Sequence, residues 1–409
     1  MRRTTGLLVL FLGASLPLAA QPTVSADGAA ELDRYLSSVV RDTDIPGLVA
    51  LVTTAEGTIY EAAFGDQDRG LGRPMLTDTL FRIASMTKPV TSAMVMMLVE
   101  AGEVDLDDPI QDHLPGVVST EVIDTFNRDN RTFTSRPPAR AVTIRDLLTN
   151  SSGIGYWFSN DTLFALIGGG RATTSLDYPL LHDPGARWTY GQSTRVLGML
   201  VEQLSGQTLD RFMRDRLFEP LGMRDTAYGV AAAQLPRLAT IHSRTDRGFD
   251  ETPNPGDTIT GAVRGDGGLF STAEDYARFI RLVLNEGVGP DGMQLLTADT
   301  VALMSRDHLP DGVWVELQPG ADRTRSRAFP LGAGRDGFGL GFQVTGDHDD
   351  PDVRAPGSLS WAGIFNTEFW IDPEQGMGAV LLMQYLPFYD DEAIDALQGF
   401  ERRVYAHLK

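Results

Sequence analysis

Cysteine is absent from the 409 residues of this chain. This absence excludes disulfides, a thiolate nucleophile, iron–sulfur clusters and cysteine-ligated zinc. Long apolar runs are missing as well, because no segment beyond residues 7–18 approaches the roughly 18 apolar residues of a membrane helix. Basic residues are outnumbered, 35 against 55 acidic ones, and the net charge of −20 repels nucleic acid and anionic lipid headgroups. Neither is an expected partner, and stable membrane insertion is not expected.

Lysine is almost absent too, since only Lys88 and Lys409 accompany the many arginines. Lys88 follows Ser85 by three residues at the predicted start of a helix, where residues i and i+3 share a face. Arginine stays protonated, whereas a buried lysine can become neutral and accept a proton. Ser85 is therefore a candidate nucleophile and Lys88 a candidate general base, and the Ser85 N–H at the helix N-terminus is a candidate oxyanion donor. The alternative is an arginine-rich codon bias that leaves one lysine here by chance.

The first residues have the order of a secretory signal. Arg2 and Arg3 precede the apolar run Leu7–Leu18, and small residues follow at Ala19 and Ala20 and again at positions 25 and 26. We expect a signal peptide within residues 1–26, cleavage after Ala20 or shortly beyond it, and a periplasmic or secreted protein. An uncleaved anchor is the alternative.

The remaining chain, residues 27–409, is predicted to form one α+β domain. Helical spacing over 31–40 precedes two strands, 48–53 and 58–64, and a buried helix starts near Ser85. Strand character returns near the C-terminus, before a closing helix. The predicted later helices are 144–148 after the cap Thr143, 196–204 opened by Ser193, 209–217, a helix from the cap Thr272 to 284, and the closing helix 390–407. The predicted later strands are 338–344, 358–361, 367–371 and 378–384.

These elements predict an antiparallel sheet built from both chain ends and flanked by the terminal helices. The sheet-containing part covers about residues 27–80 and 255–409, and an α-rich insertion covers about 81–254. The Gly- and Pro-rich stretch 310–336 is predicted to be a long excursion.

Several segments resemble the serine β-lactamase, DD-peptidase and family VIII carboxylesterase superfamily over about residues 30–405. Ser85-Met-Thr-Lys88 resembles its Ser-x-x-Lys element. The other similar stretches, in the same order along the chain, are Leu106–Ile110, Thr143–Thr149 with Ser152-Gly153, Pro220–Met223 with Asp225-Thr226, and Gly267–Thr272. The resemblance implies a β-lactamase/transpeptidase-like fold, an acyl-enzyme on Ser85, and no cofactor or metal.

The second element of the superfamily matches Tyr190-Gly191-Gln192. By this resemblance Tyr190 shares proton transfer with Lys88, although it could instead be a packed tyrosine at a helix entrance. Gln192 stands where β-lactamases and DD-peptidases usually have asparagine, and it is a candidate substrate-binding residue.

The third element matches Trp361-Ala362-Gly363 on a C-terminal strand. β-Lactamases and DD-peptidases carry Lys-Thr-Gly or His-x-Gly there, which supplies a cation or donor for a substrate carboxylate. Trp361 instead offers an apolar wall suited to neutral acyl or alcohol groups, unless it is a plain core residue. The resemblance makes Gly363 a binding residue and the Ile364 N–H the second oxyanion donor.

Three aromatic residues, Tyr156, Trp157 and Phe158, follow Ser152-Gly153 in a loop that borders the cleft in the superfamily. Because consecutive side chains cannot all face one way, at most two are expected to line the cleft.

Other motifs in the sequence are weak. Gly332–Gly337 matches a dinucleotide fingerprint but lacks the flanking strand and helix, and Asp347–Asp350 is better explained as a solvated acidic loop than as a metal site.

The sequence thus favours an exported serine hydrolase that acts on small-molecule carboxylic esters. A β-lactamase, DD-peptidase or D-amino-acid peptidase of the same superfamily is the first alternative, against which Trp361 and Gln192 count. A non-catalytic peptidoglycan-binding protein of the same fold is the second, against which the intact Ser85, Lys88 and Tyr190 count. The oligomeric state, the acyl length and the choice between hydrolysis and acyl transfer stay open.

Overall fold

A computed structural model describes residues 22–167 and 175–409. The apolar run of the predicted signal peptide lies outside the described residues. The chain is folded from its first described residues onward, because Thr23 and Lys409 exchange two backbone hydrogen bonds of 3.0 Å. Ser25 caps the first helix by accepting a hydrogen bond from the Gly28 N–H. Cleavage after Ala20 would leave all of these contacts in the protein.

The secondary structure alternates between a sheet-forming part and a helix-rich part. The helices are α1 Ala26–Asp42, α2 Thr87–Glu100, α3 Ile110–His113, α4 Ile144–Leu148, α5 Asp161–Ile167, α6 Ser193–Ser205, α7 Leu209–Met213, α8 Glu219–Leu221, α9 Ala273–Leu284, α10 Ala298–Ser305 and α11 Asp391–His407. The strands are β1 Gly47–Thr54, β2 Thr58–Asp68, β3 Arg73–Pro74, β4 Phe81–Arg82, β5 Val122–Asn127, β6 Thr132–Arg136, β7 Gly229–Val230, β8 Ile241–Thr245, β9 Gly248–Thr252, β10 Ile259–Thr260, β11 Phe270–Ser271, β12 Gly337–Phe338, β13 Gln343–Val344, β14 Leu359–Gly363, β15 Thr367–Asp372, β16 Met377–Leu382 and β17 Tyr385–Leu386.

Strands from both chain ends form one antiparallel sheet. Within the described residues it has eight strands in the order β12-β13-β14-β15-β16-β1-β2-β3. β1 lies between β16 and β2, with Val49 opposite Leu382 on one side and Ala63 on the other. All eight residues of β1 are buried, because helices cover both faces of the sheet here. The α+β, β-lactamase/transpeptidase-like fold predicted from the sequence is confirmed.

The two faces of the sheet pack on different helices. One face packs on α1 and α11, where Leu36 and Phe400 join Trp370 of β15 in a single apolar cluster. On the other face, Tyr276 of α9 lies 4.9 Å, centroid to centroid, from Phe369 of β15. Alternate residues of one strand therefore enter two cores, as the two-residue period of a strand requires.

The long buried helix α2 connects the sheet to the helical part. Every residue from Thr87 to Leu98 is buried, so the helix has no solvent-facing side over that length. The α-helix begins at Thr87, slightly later than the sequence predicted, because a 3₁₀ turn over Ala84–Met86 precedes it. The predicted caps Thr143 and Thr272 form, each accepting a hydrogen bond from the N–H three residues on.

One sequence prediction of local structure is wrong. The stretch 338–344 is not one strand, because Gly341 has φ +113° and a turn separates β12 from β13. The α-rich block contains, besides its helices, two hairpins that were not predicted, β5–β6 and β8–β9. The predicted helix 209–217 forms, but it is α-helical only over α7 and continues as a π-helical turn over Arg214–Phe218. Within the described residues, no helix is both long and apolar enough to cross a bilayer.

A close backbone approach joins α6 to the segment before Asp266. A Cβ added to Gly265 would lie 2.2 Å from the Thr194 carbonyl oxygen and 2.9 Å from the Gly198 Cα. We expect Gly265→Ala to lower the free energy of unfolding by about 2 kcal/mol or more, because backbone atoms cannot yield as a side chain does. Urea unfolding measures this, with Gly57→Ala as the control, since that Cβ would meet nothing within 4 Å. Equal effects of the two substitutions would contradict the prediction.

Candidate active site

Ser85 and Lys88 face each other across the first turn before α2. The Lys88 Nζ lies 3.0 Å from the Ser85 Oγ. It also donates a 2.7 Å hydrogen bond to the Asp266 backbone carbonyl, which fixes the amine above the serine. The spacing of three residues therefore produces the contact that the sequence predicted.

The backbone before Ser85 is strained and firmly held. Ala84 has φ +45°, a left-handed conformation that costs a non-glycine residue about 1–3 kcal/mol. Neighbouring elements fix the turn: the Ile83 N–H donates to the Leu269 carbonyl at 3.1 Å, and the Thr367 Oγ1 donates to the Ile83 carbonyl at 3.3 Å. The Ser85 side chain is thereby directed into the cleft rather than along the helix.

Lys88 lies in an environment that disfavours its positive charge. Its side chain is 3% exposed, and burial lowers the pKa of the amine to about 7. The carboxylate of Asp266 opposes this shift, and the Arg264 guanidinium adds to it. A pKa near 7 gives the amine a neutral fraction at pH 7, which a general base requires.

Asp266 is a site residue that the sequence analysis missed. The Tyr156 hydroxyl donates a 2.6 Å hydrogen bond to the Asp266 Oδ2 and lies 3.2 Å from the Lys88 Nζ. On its other side, the Asp266 Oδ1 lies 3.3 Å from the Arg264 Nε. The signal available in the sequence was its position directly before the quoted stretch Gly267–Thr272. Tyr156, predicted as a pocket residue, thus contacts the lysine itself.

Tyr190 comes from the helical part and packs against the same amine. The Lys88 Nζ lies 4.8 Å from the centre of its ring. Burial raises the pKa of the Tyr190 hydroxyl, and the neighbouring Ser85 hydroxyl and Trp361 indole oppose this rise. Ser85, Lys88 and Tyr190, which are far apart in the sequence, therefore meet at one point.

A cleft of about 340 Å³ opens beside Ser85. Its aromatic lining residues are Phe158, Tyr190, Phe329, Trp361, Phe369, Phe388 and Tyr389. The Trp361 ring packs on that of Tyr190 with centroids 5.0 Å apart. Ile364, the predicted second oxyanion donor, also lines the cleft, as Ser85 does. A carbonyl carbon placed there lies within reach of the Ser85 hydroxyl.

The other predicted binding residues lie in different positions. Phe158 lines the cleft, whereas Trp157 stacks on Phe164 with centroids 6.2 Å apart and does not. Gln192 is buried at the residue before α6. Gly363 packs directly against the backbone of Ile83, since a Cβ there would lie 2.3 Å from the Ile83 carbonyl oxygen.

The acidic loop 347–350 makes protein contacts. The His348 Nε2 lies 2.9 Å from the Arg354 carbonyl oxygen, and the Asp350 carboxylate pairs with Arg402 at 2.8 Å. No group of three or more potential metal ligands comes together within the described residues.

Comparison with known proteins defines the family of this chain. The family model described as Beta-lactamase matches residues 32–402. The chain belongs to the beta-lactamase family. This family member is 30% identical over 419 residues to the ML-236A carboxylate methylbutanoyltransferase of Penicillium citrinum, with 95% of this chain and 97% of that protein covered. It is also 30% identical over 396 residues to Esterase EstB of Burkholderia gladioli, with 90% and 93% covered.

A solved structure extends the likeness within the beta-lactamase family. The unliganded simvastatin synthase LovD of Aspergillus terreus superposes with a TM-score of 0.80 at 27% identity, covering 93% of this chain and 99% of that chain. The relatives named here are an esterase and two acyl-transferring or synthetic enzymes. This chain is accordingly an enzyme, a serine hydrolase or acyltransferase of the beta-lactamase superfamily.

The pH dependence of turnover tests the role of the buried amine. Because neutral Lys88 accepts the proton, kcat/KM for an activated ester should fall as the pH drops through the pKa of about 7. Asp266→Asn removes a charge that raises this pKa, so the acid limb should move to lower pH. Arg264→Gln removes a charge that lowers it, so the limb should move to higher pH. Unchanged profiles in both variants would exclude Lys88 as the titrating group.

Proposed function

We propose that this protein hydrolyses neutral carboxylic esters through an acyl-enzyme on Ser85. The Ser85 oxygen attacks the ester carbonyl carbon while Lys88, together with Tyr190, takes up the hydroxyl proton. The proton passes to the leaving alkoxide as the ester C–O bond breaks. Water then attacks the acyl-enzyme, its proton returns through the same groups, and the carboxylic acid departs with Ser85 restored.

The single observation that carries this proposal is the Lys88 amine, whose pKa is lowered by burial and which lies 3.0 Å from the Ser85 hydroxyl. A protonated lysine could only stabilise charge, whereas a neutral one can generate the nucleophile. The backbone N–H groups of Ser85 and Ile364 are the proposed donors to the oxyanion, since both residues border the cleft.

The charge of the cleft supports neutral substrates. Trp361 presents an aromatic face where a cation would be needed to hold a substrate carboxylate. Three arginines do line the cleft, but each already pairs with a carboxylate. The pairs are Arg335–Asp336 at 2.8 Å, Arg354–Glu401 at 2.6 Å and Arg402–Asp350 at 2.8 Å. A β-lactam or peptide carboxylate would therefore have to compete with an internal partner.

Acyl transfer to an alcohol is a second candidate activity. The Penicillium citrinum relative is named as a methylbutanoyltransferase and matches 95% of this chain. The aromatic lining of the cleft is as suitable for an alcohol as for an acyl chain. Product analysis with added 1-butanol separates the two activities, because transfer yields a butyl ester and hydrolysis yields the free acid.

Substrate preference tests the assignment. Wild type should have a higher kcat/KM for p-nitrophenyl butyrate than for a chromogenic cephalosporin, and Ser85→Ala should turn over neither. Trp361→Lys should lower the butyrate value about 10- to 100-fold, because an aromatic wall of roughly 150–250 Å² is lost. Trp314→Lys is the control, since that indole is 51% exposed and does not line the cleft. A wild type that prefers the cephalosporin would establish the β-lactamase alternative instead.

We also propose that the protein is exported, on the basis of Arg2, Arg3 and the apolar run Leu7–Leu18. The mature protein should begin between Gln21 and Asp27 and be found outside the cytoplasm, which mass spectrometry of cell fractions determines. Leu10→Arg should keep the full-length chain inside the cell, because it interrupts the apolar run. Intact Met1 in a membrane fraction of the wild type would support the anchor alternative.

A further inference from the structure

Glu368 is a buried carboxyl group without an internal partner. It lies on β15 directly after Thr367, opposite Ala362 of β14, and is 8% exposed. No described residue forms a hydrogen bond or an ion pair with its side chain. A carboxyl group closed off from water in this state would cost about 1–3 kcal/mol, whereas Glu368 borders an open cleft. Water or a bound ligand in the cleft can supply the hydrogen bonds that the protein itself does not give this carboxyl group.

The cleft that contains Ser85 reaches this carboxyl group. The same cavity is lined by Ser85 and Trp361 and by Glu368, Arg354 and Glu401. We call Arg354, Glu368, Tyr389 and Glu401 the polar end of the cleft. Glu368 and Ser85 therefore line one cavity, although the side chain of Glu368, like that of Trp370, lies on the face of the sheet that packs on α1 and α11.

The cation nearest to Glu368 is already paired with another carboxylate. The Arg354 Nε donates to the Glu401 Oε1 at 2.6 Å and its other nitrogen donates to Oε2 at 3.1 Å. The Tyr389 hydroxyl accepts a 3.2 Å hydrogen bond from the Leu331 N–H. Burial raises the pKa of the Glu368 carboxyl well above its ordinary value, and Arg354 offsets this only in part. Burial thus favours the uncharged carboxylic acid, a form that can both donate and accept a hydrogen bond.

The charges of the polar end decide which ligand fits. A cation would face the Arg354 guanidinium, and an anion would face the Glu401 carboxylate. A neutral hydroxyl group meets neither objection, and it can accept from the carboxylic acid O–H while donating to its carbonyl oxygen.

We propose that Glu368 is a specificity-determining residue that hydrogen-bonds a hydroxyl group carried by the ester substrate, at the polar end of the cleft. The inference rests on the proposed ester hydrolysis and adds the substrate class, an ester with a second oxygen function on its acyl or its alcohol part. Sites built to bind a hydroxyl discriminate strongly against analogues that lack it, because their own polar groups are then left unpaired.

The test compares substrates of equal heavy-atom count. In the acyl arm these are p-nitrophenyl ω-hydroxyalkanoates against the alkanoates in which a methyl group replaces the hydroxyl. In the alcohol arm they are hydroxyalkyl butyrates against the matching alkyl butyrates, each as a series of chain lengths. Wild type should prefer the hydroxylated member at one length in one arm by about 10-fold or more, and that arm identifies the part of the ester that carries the hydroxyl.

Variants assign the preference to the carboxyl group. Glu368→Leu should abolish it, because leucine offers the substrate hydroxyl neither a donor nor an acceptor. Glu368→Gln should keep most of the preference, since the amide also donates and accepts. Glu374→Leu, on the exposed turn after β15, is the control. A wild type without preference in either arm, or a preference that survives in Glu368→Leu, would overturn the proposal.

Binding separates this inference from the proposed function. Calorimetric titration of the same esters into Ser85→Ala and into Ser85→Ala with Glu368→Leu measures recognition without turnover. Tighter binding of the hydroxylated ester that depends on Glu368 supports the inference even where wild type hydrolyses no ester, a result that would contradict the proposed function alone. Equal binding by both proteins would refute the Glu368 assignment.

Discussion

The energetic cost of burying an amine is the constraint on which the active site depends. Lys88 follows Ser85 by three residues and lies in the first turn of α2, a helix that is buried on all sides. This burial lowers the pKa of the Lys88 amine to about 7. The surroundings then tune the amine with charges of opposite sign, Asp266 favouring the protonated form and Arg264 the neutral one. Without this desolvation the amine beside Ser85 would stay protonated. The chemistry is therefore a property of the packing around α2 as much as of the residues that touch the substrate.

The fold supplies this packing by bringing three parts of the chain to one place. Ser85 and Lys88 belong to the segment that leaves the sheet, Tyr190 to the helical part, and Trp361 to the sheet itself. The β14 backbone packs closely on the Ile83 carbonyl. A Cβ at Gly363 would therefore clash both with the Ile83 carbonyl oxygen and with the Thr367 hydroxyl. The site consequently lies at the junction of the sheet and the helical part, and neither could hold it alone.

Features fixed by local chemistry were predictable from the sequence. The Ser85–Lys88 spacing, the Thr143 and Thr272 caps and the strands β1 and β2 all depend on neighbours within a few residues, so their pattern is visible along the chain. The hairpin β5–β6 was not, because its strands are mostly exposed and carry no apolar alternation.

The polar residues with the most specific environments were also not predictable. Asp266 acquires its role from Tyr156, which is 110 positions away, and the burial of Glu368 results from the packing of α11 and the excursion loop. An isolated Asp or Glu in a sequence has no periodicity that indicates such contacts. Their surroundings are a tertiary property, which only the folded chain defines.

The pairing of β1 with β16 has a consequence for the order of folding. The first long strand of the protein finds one of its two neighbours only when residues 377–382 are present, and Thr23 meets Lys409 only when the last residue is. Contacts between such distant parts of a chain slow folding, since a very large loop must close before they contribute. An emerging chain accordingly holds β1 with one edge uncovered until residues 377–382 have been made. A shortened chain that ends before β16 would therefore expose one edge of β1, a strand whose eight residues are all buried in the folded protein.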